Sequence, residues 1–184
     1  NHASYYPGAT NIVLKMNFGE EGTIYGAQAL GQEGVDKRID VIATAIKGNL
    51  TIYDLQEIEV AYAPPYNAAK DPVNILGYVA ENMLNDDVRL VNYDELDEYL
   101  AAENGILIDV RTKTEFENGA IPNAIHMDVD TLRENLDFFD KNKKYVIYCQ
   151  IGLRGYLAQR ILRNNDIDSV NLNGGYGLWK PVNS

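Results

Sequence analysis

The sequence predicts a mixed α/β protein in two parts, an α+β half followed by a half of the parallel-sheet α/β type. Two observations carry this expectation. The first 84 residues open on one alternating hairpin and then turn helical, whereas from residue 96 onward short apolar strands and helical patterns take turns. The 184-residue chain has room for two small cores, and its 46% hydrophobic and 23% charged content is that of an ordinary globular protein.

In the first half, Ile12, Leu14, Met16 and Phe18 alternate as a half-buried strand does, "GEEG" turns it, and "TIYGAQAL" returns as its partner. Val35, Ile39, Ile42 and Ile46 share one helical face, which Gly48 ends. A short helix is expected around 53–58. "AYAPPYNAAKDP" is too proline-rich for regular structure, and Asp71-Pro72 supplies an N-cap and first-turn pair for a helix through Leu84. "NDDVRLVN" reads as a polar joint with little to bury. The domain boundary is expected near residues 85–90, giving domains of residues 1–86 and 87–184.

In the second half, Leu96, Tyr99 and Leu100 mark a helix that stops at Asn104-Gly105, and "ILIDV" is a buried strand. Thr112 and Glu115 are spaced as a capping box for a short helix carrying Phe116. "AIHM" is a short strand, Leu132, Leu136 and Phe139 define a helix, and "YVIYC" is the most apolar strand. Leu153, Leu157 and Ile161 are expected to form the buried face of the next helix, and "SVNL" closes the series. Such alternation implies a parallel sheet covered on both faces.

A net charge of −11 argues against nucleic acid and anionic membranes as partners. No apolar run reaches the length of a membrane span and no signal peptide is evident, so a cytoplasmic location is expected. One cysteine and two distant histidines cannot build a tetrahedral zinc site, so no metal is expected. That cysteine, Cys149 in "CQIGLRG", falls at the carboxyl end of a parallel strand, where open α/β sheets place their sites. The helix that follows points its N-terminus at the loop, which favours thiolate over thiol. Gly152 allows a tight turn, and Arg154 adds a cation suited to holding an anion. A loop position should leave the sulfur partly exposed. Only four residues, Gln150, Ile151, Gly152 and Leu153, separate Cys149 from Arg154. That cradle suits one extra sulfur atom better than a phosphate. Sulfur transfer is therefore favoured over a cysteine phosphatase or arsenate reductase, and a non-catalytic dimerisation and docking module is the other alternative.

"LIDVRTKTEFENGAIPNAIHM", "YVIYCQIGLRGYLAQRIL" and "NLNGGYGLW" together resemble the rhodanese domain across residues 88–181. The resemblance implies Cys149 as the sulfur-accepting nucleophile, with Gln150 through Arg154 as the anion-cradling loop. Many rhodaneses have "GHIPGA" where this chain has "GAIPNA", so Asn123 needs a turn that it can tolerate. "HASYYPGA", "GAQALGQEGVDKRIDVIATAI" and "DLQEIEVAYAPPYNAAKDPVNILGYVAEN" resemble the C-terminal dimerisation domain of pyridine nucleotide-disulfide oxidoreductases, nearest to coenzyme A-disulfide reductases with a fused rhodanese domain. This resemblance implies FAD and NAD(P)H held mainly by domains absent from this chain, coenzyme A as substrate, and a homodimer. It also implies that Tyr5 and Tyr62 reach a partner subunit's active site, with Tyr6 a rival to Tyr5. No dinucleotide fingerprint is read in these residues, because no glycine-rich one follows a strand and "GGYGLW" lacks the βαβ setting. His126 is expected to be structural, and Asp109 and Arg111 to pair at the sheet's carboxyl edge. The acid run at 94–98 reads as a solvated helix face, and His2 as without a role.

Overall fold

The computed structural model describes residues 5–183, so His2 lies outside the described residues. The chain divides into two compact units, the first ending at Asn85 and the second beginning at Asp86.

In the first unit, strands β1 (Ile12–Phe18) and β2 (Ile24–Gly31) pair antiparallel, with one irregularity at Asn17/Phe18. Gly22, at φ 79°, makes the turn between them possible, since a side chain is disfavoured there. Helices α1 (Val35–Lys47), α2 (Ile52–Glu57) and α3 (Pro72–Leu84) close a core of Met16, Ile24, Ile42, Ala45, Ile52, Leu55, Val73 and Ala80. Asp71 caps α3 as expected, accepting the Val73 N–H at 3.0 Å. The same carboxylate pairs with Arg38, which is 1% exposed, through bonds of 2.8 and 3.3 Å. Burial alone would raise the Asp71 pKa, but the Val73 N–H, Arg38 and Asn67 outweigh it and hold the carboxylate low.

The second unit is a five-stranded sheet in the order β3-β7-β6-β4-β5, with every neighbouring pair parallel. Its strands are β3 (Leu90–Val91), β4 (Ile106–Asp109), β5 (Ile125–His126), β6 (Tyr145–Tyr148) and β7 (Ser169–Leu172). Side chains alternate across a strand, so Ile108, Tyr145 and Ile147 enter one core while Leu107, Val146 and Tyr148 enter the other. This explains why the strands read as continuous apolar runs. Helices α4 (Leu96–Ala102), α5 (Lys113–Glu117), α6 (Leu153–Arg163) and α7 (Gly175–Val182) complete the unit.

Four expectations need correction. The polar joint contributes edge strand β3, and Val88 and Val91 are 5% and 4% exposed. Its charges are engaged as well: Asp86 pairs with Arg89 and Arg163, and Asp87 with Arg160. The segment around Leu132–Phe138 is a 3-10 stretch broken at Asn135, not a regular helix. "SVNL" does not close the series, because α7 follows it. Finally, α6 buries Gly155, Ala158, Gln159, Ile161 and Leu162, whereas Leu153 and Leu157 are 64% and 47% exposed. Small residues let this helix approach the sheet closely, and they carry little weight in a pattern read from large side chains.

Candidate active site

Strand β6 delivers Cys149 to the carboxyl edge of the sheet, and Gly152 begins α6 three residues later. Gly152 sits at φ 119° and ψ −28°, a conformation that side chains rarely adopt. That geometry points its N–H at the Cys149 sulfur, 3.1 Å away. Beyond it, the first-turn N–H groups of α6 have no acceptors within the helix, as at any helix N-terminus. The sulfur therefore accepts one backbone N–H and lies at the N-terminal end of α6.

The expectation of a partly exposed sulfur fails, for Cys149 is 1% exposed. It belongs to the core cluster that holds Val110, Ile147 and Ala158. The start of α7 closes over the loop backbone from the other side. The Tyr176 N–H donates to the Cys149 carbonyl at 2.8 Å, and the Gly177 N–H to the Gln150 carbonyl at 2.9 Å. Gly175, at φ 58°, tolerates no side chain, since a Cβ would sit 2.4 Å from the Cys149 carbonyl oxygen. The role of "GGYG" is thus to brace the cysteine loop.

Arg154 donates two bonds of 2.7 Å to the Glu115 carboxylate. Those bonds hold Glu115 down to a pKa of about 2, against burial, which would raise it. They also raise the Arg154 pKa; burial opposes this, and the nearby Cys149 adds a smaller contribution. Arg154 is therefore in electrostatic reach of the sulfur but is not a free cation. Glu115 also closes the capping box with Thr112, accepting its backbone N–H at 3.0 Å and its hydroxyl at 2.9 Å. One carboxylate thus ties the start of α5 to the cysteine loop.

Below the loop, Arg111 is 2% exposed and pairs with Asp109 at 2.7 Å. It also donates to the Gly119 carbonyl at 2.7 Å and to the Gln150 side chain at 3.4 Å, with the Tyr176 ring 4.1 Å from its guanidinium carbon. The expected structural pairing of Asp109 and Arg111 is what the structure shows. His126 lies 2.8 Å from the Arg111 carbonyl, and its ring packs tilted against Phe116 with centroids 5.0 Å apart, structural contacts as expected. Asn123 adopts φ 64°, the turn that its place in "GAIPNA" requires.

The structure thus assembles Cys149, Gln150, Ile151, Gly152, Leu153 and Arg154 in one loop, with Ile151 and Leu153 exposed at its rim. Tyr5 and Tyr62 belong to the first unit and are 89% and 56% exposed. Sequence reading found Glu115 only as a helix cap and missed Asn171, whose side chain donates to the Gly152 carbonyl at 3.1 Å. A signal for the latter was Gly155, since glycine inside a helical pattern often marks a close approach. Among the described residues, no group of histidine, cysteine, aspartate and glutamate could hold a metal ion, and no helix is long and apolar enough to cross a membrane.

The second unit is thus a parallel α/β sheet that presents one cysteine at a helix N-terminus, the arrangement of a cysteine-dependent enzyme. Residues 92–181 match the family model of the rhodanese-like domain, and the second unit belongs to that family. The whole chain is similar to the dimerisation-plus-rhodanese portion of coenzyme A-disulfide reductase-like oxidoreductases, as the motifs implied. The crystal structure of reduced Bacillus anthracis CoADR-RHD superposes with a TM-score of 0.94 at 47% identity, covering 98% of this chain and 32% of that one. A NAD-dependent persulfide reductase from A. fulgidus gives a TM-score of 0.87 at 37% identity, over 97% of this chain and 32% of its own. The coenzyme A disulfide reductase of Staphylococcus haemolyticus is 51% identical over 83 residues, which are 45% of this chain and 19% of that protein. The chain therefore spans about a third of the solved relatives and about a fifth of the curated one.

Proposed function

We propose that this chain is the dimerisation and sulfur-handling portion of a reductase of coenzyme A disulfide, persulfide or polysulfide, with Cys149 carrying sulfane sulfur as a persulfide. The observation that carries the reading is the Cys149 sulfur accepting the Gly152 N–H at 3.1 Å, in a four-residue cradle that suits one extra sulfur atom better than a phosphate. The thiolate of Cys149 attacks the outer sulfur of a donor R–S–S⁻. A new S–S bond forms on Cys149, the donor's S–S bond breaks, and R–S⁻ leaves with that electron pair. An acceptor thiolate then attacks the outer sulfur, which departs with it and returns Cys149 to the thiolate. No external oxidant or reductant enters either step.

Gly152 and the first turn of α6 stabilise the charge on the persulfide as they do on the thiolate. Arg154, held flat by Glu115, orients an anionic donor toward the sulfur. The glycine-rich turn of the second unit does not fit FAD or NAD(P)H. In the glycine-rich turn before α7, the Tyr176 and Gly177 N–H groups already hold the Cys149 and Gln150 carbonyls, so they are not free to cradle a pyrophosphate. Those cofactors would be bound mainly by domains outside this chain.

The first unit is proposed to form a two-fold dimer. On α3, Ile75, Val79 and Met83 are spaced four residues apart and are 47%, 40% and 40% exposed, an apolar stripe suited to a second copy. Tyr62, and Tyr5 with it, would then present a phenol to a neighbouring subunit's thiolate chemistry.

The deciding experiment is incubation with a sulfane donor followed by mass spectrometry. Cys149 should gain the mass of one sulfur atom, and Cys149→Ser should gain nothing. Phosphate release from an aryl phosphate without sulfur uptake would replace this reading with that of a cysteine phosphatase.

A further inference from the structure

We propose that Asn171 is a positioning residue for the cysteine loop. It clamps the Gly152 carbonyl so that the Gly152 N–H stays on the Cys149 sulfur; its link to activity rests on the sulfur-carrying reading above. Three carbonyls of the loop are tied down. Those of Cys149 and Gln150 accept the Tyr176 and Gly177 N–H groups, and that of Gly152 accepts the Tyr156 N–H at 2.8 Å. The Asn171 side chain adds a bond of 3.1 Å to the same Gly152 oxygen. Of these anchors outside α6, Asn171 alone is a side chain.

Gly152 is the residue that needs such a clamp. Its N–H faces the sulfur at 3.1 Å while its carbonyl is held by the Tyr156 N–H within α6 and by Asn171 from β7, and these bonds together hold its φ of 119° and ψ of −28°. Glycine has no side chain to enforce that conformation, and without an anchor it samples others freely.

Asn171 is also costly where it stands. It is 3% exposed on a strand whose neighbours Val170 and Leu172 are apolar, and its Oδ1 has no hydrogen-bond partner among the described residues. An unpaired buried acceptor destabilises, and an apolar side chain of similar size would remove it. It also constrains α6, because a Cβ on Gly155 would lie 2.2 Å from that same Oδ1. A residue kept only to fill the sheet would not need an amide.

The test uses Asn171→Leu, of similar size without a donor, and Asn171→Asp, of the same shape but presenting only acceptors at neutral pH. Asn171→Leu should unfold at the same or higher temperature than the parent, yet move the Gly152 amide proton resonance upfield. Its sulfur-transfer kcat should fall roughly tenfold, the weight of a hydrogen bond to a charged group, with the donor KM within about twofold. Asn171→Asp should move the resonance further; should it fail to fold, the leucine variant still decides. A Gly152 resonance that stays in place, or an unchanged kcat, overturns the proposal. If the parent protein takes up no sulfur at all, the sulfur-carrying reading fails, while the Gly152 resonance still reports whether Asn171 sets the loop.

Discussion

Arg154 and Glu115 meet through two parallel hydrogen bonds of 2.7 Å each, although 39 residues separate them in sequence. The pair joins the first turn of α6 to the first turn of α5, and so joins the cysteine loop to the segment that follows β4. It also settles what kind of cation the loop contains, namely one whose plane is fixed and whose charge is partly matched.

Arg154→Ala should slow sulfur uptake from an anionic donor about tenfold while costing about 1 kcal/mol or less of stability, because the pair is only partly buried. Arg154→Lys should recover part of the rate, since a point charge replaces a planar fork. Single-turnover uptake by mass spectrometry, with thermal unfolding alongside, checks both. An alanine variant as fast as the parent would remove Arg154 from the site.

The same pair predicts an acid limb in stability. Glu115 is held at about 2, well below its ordinary 4.5, chiefly by the Arg154 hydrogen bonds. Because the folded value is depressed, the contribution is present above pH 4.5 and is lost as pH falls toward 2. Glu115→Gln should therefore flatten the fall in unfolding free energy across that window, measured by denaturant titration at successive pH values. Curves of equal slope for variant and parent would show that the pair does not hold in solution.

The α3 stripe predicts the association state. In sedimentation the protein should behave as a dimer, and Val79→Glu should shift it toward monomer while leaving its circular dichroism unchanged. A parent protein that stays monomeric at every concentration would take the proposed role of Tyr62 with it, since that role needs a neighbouring subunit.

Much of the second unit could be read from sequence because its signals are local. "YVIYC" is buried on both faces, Thr112 caps α5 with Glu115 three residues on, and Asn123 takes the left-handed turn that replaces a glycine. What escaped was non-local or carried by small or polar groups. Arg38 is a charged residue inside a helix, and its burial rests on Asp71, 33 residues away, together with the Gly34 carbonyl. On α6 the buried positions include the small Gly155 and Ala158 rather than the larger Leu153 and Leu157, and at Gly155 the approach of Asn171 leaves no room for a side chain. The brace from Tyr176 and Gly177 is made of backbone, which no residue pattern reveals.

Edge strand β3 has a practical bearing on how the two units can be separated. Val91 is 4% exposed, and the Asn171 and Asn173 N–H groups donate to the Arg89 and Val91 carbonyls at 2.8 and 2.9 Å. Asn171 is thus flanked on its β3 side by residues that a cut near residue 90 would discard. A truncation beginning at Asp86 retains β3 and the carboxylates of Asp86 and Asp87 that anchor Arg163 and Arg160. One beginning a few residues later bares the edge of β7 to solvent and loosens the strand that holds the Gly152 carbonyl. The choice of cleavage point would then register as a change in thiol chemistry some sixty residues away in the chain, between Arg89 and Cys149.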